Sequence, residues 1–203
     1  MTGRSVVTVV LVGLGAGILA GCASDPVEVR HEGLFVSYDT MDSLASASDA
    51  VVLGRVIDST TESVVLPPPT YSGTDEETNP LVGVDQSATE QESQPIVFTY
   101  YEVEITDPAA SGYTAGERIQ VRVLGGTYKN VKHVWSGIAP LERGKSYAFF
   151  LHELSGQVAE PTNPQQSVYE RTGDGRFTPP VGDAAVEVPG VQHKLDVTFD
   201  SAN

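Results

Sequence analysis

Ala50-Val51-Val52-Leu53-Gly54-Arg55-Val56-Ile57 is the stretch on which the fold turns. Its β-branched residues favour a strand, and its opening residues are apolar on both faces, as in a strand covered on two sides. Gly54 interrupts the run, which predicts a bulge or sharp bend of the kind that curls a sheet into a barrel. Two more strands are legible, Ile96 to Thr106 and Arg118 to Leu124, joined by a loop from Asp107-Pro108 to Gly116. Pairing them antiparallel with Val103 opposite Val121 sets Ile105 against Ile119, Tyr101 against Val123 and Glu102 against Arg122. Apolar residues then share one face and opposite charges meet on the other.

Further along, Ser146-Tyr147-Ala148-Phe149-Phe150-Leu151-His152 is the most aromatic strand, and Val168 to Arg171 and Arg176 to Thr178 flank a hairpin signal, Thr172-Gly173-Asp174-Gly175. Val186, Val188, Leu195, Val197 and Phe199 alternate with polar residues and predict one or two edge strands. Upstream, Thr40 can cap a short helix in which Met41, Leu44, Ala45 and Ala47 form the apolar side. Gly125-Gly126-Thr127-Tyr128 ends the third strand, and the chain from there to Ile138 reads as a mobile segment carrying Lys129, Lys132, His133 and the only tryptophan, Trp135.

Outside these patterns the composition changes. Glu62 to Pro95 is acidic, contains no Lys or Arg and includes Pro67-Pro68-Pro69, so residues 66–94 read as a disordered acidic insertion that buries too little apolar surface to order itself. Residues 22–39 are polar and mixed and read as a flexible tether, although Leu34, Val36 and Tyr38 alternate and could pair as a short edge strand. Residues 1–21 read as a secretory signal, with Arg4, an apolar run and small residues before a lone cysteine. That run is shorter than the ~20 residues a membrane-spanning helix needs. Leu19-Ala20-Gly21-Cys22 resembles the bacterial lipobox, which implies that Cys22 is acylated and becomes the mature N-terminus. The expected location is the extracytoplasmic side of the cell membrane, held by lipid. A net charge of −15 excludes adsorption to anionic lipid and the phosphate neutralisation on which nucleic-acid binding depends, so attachment must be covalent.

Ser48 to Val56, the strand at Tyr101 to Asp107, the Gly116 to Gly126 segment and Leu141-Glu142-Arg143-Gly144-Lys145-Ser146 through Leu151 together resemble bacterial domains related to the netrin and metalloproteinase-inhibitor module. The resemblance covers about half the chain. It implies an all-β fold with one or two short helices, a five- to six-stranded OB-like barrel, closed or partly open, within residues 40–203. In the inhibitors the mature N-terminal cysteine engages the target's catalytic zinc. Cys22 lies far before the barrel and on the lipobox reading is acylated, so that role is not carried over.

Motifs for chemistry are sparse. No nucleophile elbow is present, and His31, His133, His152 and His193 are scattered without the spacing of a metal site, so no catalytic residue, metal or cofactor is assigned. Glu102 and Glu104 could form a carboxylate pair, but Arg118 and Arg122 across the hairpin explain them as ion-pair partners. The stretch that stands out in so acidic a chain is the group of cations around Trp135, with Tyr128, Lys132 and Trp135 as candidate ligand-binding residues. The expected function is a lipid-anchored binding module for an envelope protein, peptide or glycan. An envelope hydrolase with a loop-assembled site, or a protease-inhibitor-like protein, is the alternative.

Overall fold

A computed structural model describes residues 25–66, 95–109, 111–154, 157–180 and 190–199. The signal segment, Cys22 and residues 67–94 of the acidic insertion lie outside the described residues. In chain order the elements are β1 (Val27–His31), α1 (Met41–Ser46), β2 (Ala50–Val64), β3 (Ile96–Asp107), β4 (Arg118–Leu124), β5 (Gly126–Tyr128), β6 (Val131–Trp135), β7 (Ser146–Glu153), β8 (Val158–Pro161), β9 (Val168–Arg171), β10 (Phe177–Thr178) and α2 (Val191–Phe199). The fold is predominantly β, as the alternating patterns predict.

Five strands close on themselves. β2 pairs antiparallel with β3 and β7, β3 with β4, β4 runs parallel to β8, and β8 returns antiparallel to β7. β9 and β10 extend from β7 as an arm, and β1, β6 and β5 form a separate three-stranded sheet. Closure depends on bending β2, whose pairing with β3 shifts register between Leu53 and Gly54 and again between Val56 and Asp58. A Cβ on Gly54 would overlap Val103 Cγ1 and approach the Glu104 carbonyl oxygen to 3.3 Å, so the strands come this close only because the residue is glycine.

Strands β2 and β7 are buried on both faces. Val52, Val56, Tyr147, Phe149 and Leu151 point into the ring and pack with Val103, Ile105, Ile119 and Val121. Leu53, Ala148 and Phe150 point outward into a second core made with Met41 and Leu44 of α1, Tyr169 of β9, and Val191, Leu195 and Phe199 of α2. Each such buried side chain contributes about 1.5–3 kcal/mol relative to exposure, and no disulfide is available because Cys22 is the only cysteine. Thr40 caps α1 through a capping box with Ser43, and Lys194 of α2 reaches Asp42 of α1 at 2.7 Å.

Several expectations are corrected. The β3–β4 register is two residues away from the one expected: Val103 faces Ile119, Tyr101 faces Val121, and Glu102 faces Gln120. A two-residue shift keeps every side chain on its face, so face matching alone cannot choose between the two registers. The loop decides. Ile105 exchanges backbone bonds with Glu117 and Gly116, and Gly116 adopts a φ of 84°. Arg122 is thereby freed to meet Glu160 of β8 at 2.6 Å, while Glu102 pairs with Arg118 at 2.7 Å and Glu104 with Arg55 at 3.4 Å. Of the one or two edge strands expected, Val186 and Val188 lie outside the described residues, and Leu195, Val197 and Phe199 belong to helix α2, because Val191, Leu195 and Phe199 repeat every four residues and are buried together, whereas Val197 is 55% exposed. The segment read as a tether contains β1, and its following residues are clamped by side-chain amides: Gln166 bonds both the backbone N–H and the carbonyl of Tyr38, and Asn163 Nδ2 donates to the Val36 carbonyl. Leu34 and Val36 remain exposed and pair with no strand.

Candidate functional site

The segment from Gly125 to Trp135, expected to end a strand at Tyr128 and to be mobile beyond it, is a β-hairpin. Lys129 and Asn130 have φ of 47° and 63°, the doubly left-handed turn whose twist suits a two-residue hairpin. At its other end Gly125 and Gly126 have φ of 95° and 126°. A Cβ on Gly125 would lie 2.7 Å from the His133 carbonyl oxygen, and one on Gly126 would overlap the Thr99 hydroxyl of β3. Two glycines therefore let β4 turn directly into the hairpin and set β5 against the end of the ring.

The hairpin is widened by β1, which runs parallel to β6 with Glu28 beside Lys132, Val29 beside His133 and His31 beside Trp135. This register assembles a group of rings. His31 Nε2 and His133 Nδ1 are 3.0 Å apart, with ring centres 5.2 Å apart and planes tilted by only 7°. That geometry is an edge-to-edge hydrogen bond, in which one imidazole N–H faces the unprotonated nitrogen of the other. His31 also lies over Trp135, with ring centres 4.9 Å apart and planes inclined by 20°. Burial first, and then the charge of His31, hold the His133 imidazole below its ordinary value. Beside the rings, Glu28 accepts from Lys132 at 3.1 Å and from Arg30 at 2.9 Å. The Lys132 ammonium, ahead of Arg30, keeps the Glu28 carboxyl below the usual range.

Trp135 separates two clefts. One, of about 330 Å³, is lined by β1 and by the loop after Trp135, with Arg30, His31, Lys132 and Pro140 among its walls. The other, of about 390 Å³, lies between the hairpin and the end of the ring and is rich in hydroxyls, with Thr61, Thr99, Tyr101 and Thr127 facing His133 and Trp135. Trp135 also packs against the main core. The loop that roofs both clefts is fixed from below: the Leu141 N–H donates to the Tyr101 hydroxyl at 3.0 Å and the Glu142 N–H to the Tyr147 hydroxyl at 2.9 Å.

Of the three candidate binding residues, Lys132 and Trp135 border the same two clefts, and Tyr128 borders neither. Tyr128 sits at the turn end of the hairpin, with the Lys129 ammonium 5.2 Å from its ring centre. Two of the cations around Trp135 are engaged in ion pairs: Lys132 with Glu28, and Lys145 with Glu142 and Glu170. Sequence reading missed His31, which belongs to the site only because β1 joins β6. The available signal was the matching alternation of Val27, Val29, His31 and Val131, His133, Trp135. Elsewhere, His152 Nδ1 lies 2.7 Å from Asp49 Oδ2, with both side chains about half exposed and neither bordering the two clefts beside Trp135. Among the described residues no group of three or more His, Cys, Asp or Glu is arranged to hold a metal ion, and no helix is long and apolar enough to cross a membrane. Compared with known proteins, the chain matches no family model and no curated protein.

Proposed function

We infer that this chain is an extracytoplasmic binding module, tethered to the membrane through an acylated Cys22, that recognises an envelope protein, peptide or glycan at the clefts beside Trp135. The observation that carries the reading is the position of Trp135. A tryptophan with one face against a histidine, and a lysine on the cleft edge, offer stacking area together with a directed polar contact. The OB-like barrel is part of the same inference. Its support is the order of the closed strands, β7-β2-β3-β4-β8, with a single parallel pairing between β4 and β8. The hairpin and the loop after it lie in the connection between β4 and β7, the third and fourth strands of the ring, and carry the clefts beside Trp135. The lipid anchor is supported by the lipobox-like Leu19-Ala20-Gly21-Cys22 and by an acidity that leaves no electrostatic route to the bilayer.

Affinity capture from solubilised envelopes tests the binding half. Trp135→Ala is expected to lose the captured partner, whereas truncation of the exposed Leu34, which lines neither cleft, is expected to retain it. Retention of the same partner by the Trp135 variant would contradict the reading.

A further inference from the structure

Two imidazoles lie across the seam that attaches β1 to the rest of the protein. We propose that the His31–His133 pair is an acid-sensitive latch, holding β1 on β6 while at least one ring is neutral and releasing it when both are protonated.

The seam is slight enough for one hydrogen-bonded pair to matter. β1 has five residues, pairs only with β6 among the described strands, and exposes Val27 and Val29 by 64% and 37%. Backbone bonds at its two ends, from Val27 N to the Asn130 carbonyl and from Ser136 N to the His31 carbonyl, complete the ladder. On the ring side of the seam the 3.0 Å contact needs one N–H and one lone pair. Two neutral rings supply this, and so does one imidazolium with one neutral ring. Two imidazolium rings cannot: both nitrogens then carry protons, and two like charges are held about one ring-length apart.

The other charged groups at the seam do not offset that change. From β1 come Glu28 and Arg30, with Glu32 just beyond the strand; from β6 comes Lys132; from β5 only the Tyr128 phenol, with Lys129 at the turn. Glu28 is engaged by Lys132 and Arg30, and its carboxyl is held below the usual carboxylate range, so that ion pair stays charged while histidines titrate. No carboxylate acts on His133, whose imidazole is lowered from 6.5 by burial and by His31. The sign follows from linkage. The docked strand binds fewer protons than the released one, so docking is fully stable above pH 6.5 and weakens as the pH falls through the lowered value. Because the chain between Cys22 and the ring passes through β1, release would lengthen that connection and remove the His31 wall of the first cleft.

Hydrogen exchange on the full chain, corrected for the intrinsic pH dependence of exchange, tests the latch at pH 7.5 and pH 5. The protection of Val27–His31 is expected to be lost at the lower pH, while β2 and β3 hold theirs. His133→Gln keeps a hydrogen-bonding group without the titration and is expected to flatten the response. Constant protection of β1 in the natural sequence, an equal fall in His133→Gln, or a fall shared with β2 and β3 would each overturn the proposal. Should His133→Gln undock β1 at every pH, ring-proton NMR of the natural sequence decides: a His133 pKa below 6.5 supports the latch, and one at or above it overturns it.

Discussion

Two phenol oxygens set the height of the loop that roofs the clefts. Tyr101, 4% exposed, accepts from the Leu141 amide, and Tyr147, 1% exposed, accepts from that of Glu142. Burial raises both phenols above their ordinary value, so they stay neutral in the physiological range. Tyr101→Phe leaves the Leu141 N–H without its acceptor, and the expected loss is about 1–3 kcal/mol. It is read as a lower urea midpoint at unchanged slope. Tyr147→Phe is expected to cost less, because Glu142 lies nearer the solvent and water can replace the hydroxyl. An equal, negligible effect of both would contradict this role. Neither contact could be read from the sequence, since Tyr101 and Leu141 are 40 residues apart. Gly54, by contrast, was legible, because a glycine inside a β-branched run has few explanations other than a bend or a close approach.

At the scale of elements, patterns succeeded where one period was unambiguous. β2, β3, β4, β7 and the β9–β10 hairpin follow from apolar runs bounded by turn residues, and α1 from its cap. They failed where two periods fit. Leu195, Val197 and Phe199 alternate over a short span, but Val191, Leu195 and Phe199 fit a helix, and only packing against the outer face of β2 and β7 selects it. The helix makes a sharp prediction. Leu195→Ala is expected to destabilise by about 2–5 kcal/mol, whereas Val197→Ala is expected to stay within about 0.5 kcal/mol. A strand would bury the two residues alike, so comparable losses in thermal unfolding would contradict α2. The β5–β6 hairpin was hidden by its turn, Lys129-Asn130, which lacks the glycine that usually marks such turns. Without that hairpin nothing in the sequence unites β1 with β6, the pairing that brings His31 to the site.

The whole molecule joins a closed ring of strands, a helical second core on one flank and a small mixed-polarity sheet at the Trp135 end. Its single cysteine leaves it without an internal disulfide, and its net charge is −15. On the reading proposed above, recognition is concentrated where an aromatic face and a cation meet, beside Trp135 and Lys132. The most direct measurement is site-specific photo-crosslinking in intact cells, with the reactive group at position 132 on the cleft edge or at position 173 in the β9–β10 turn. A discrete adduct from position 132, absent from position 173 and lost with Trp135→Ala and with Cys22→Ser, is the predicted result. The same adducts from both positions, or an adduct that survives both substitutions, would contradict an anchored module that binds through the Trp135 clefts.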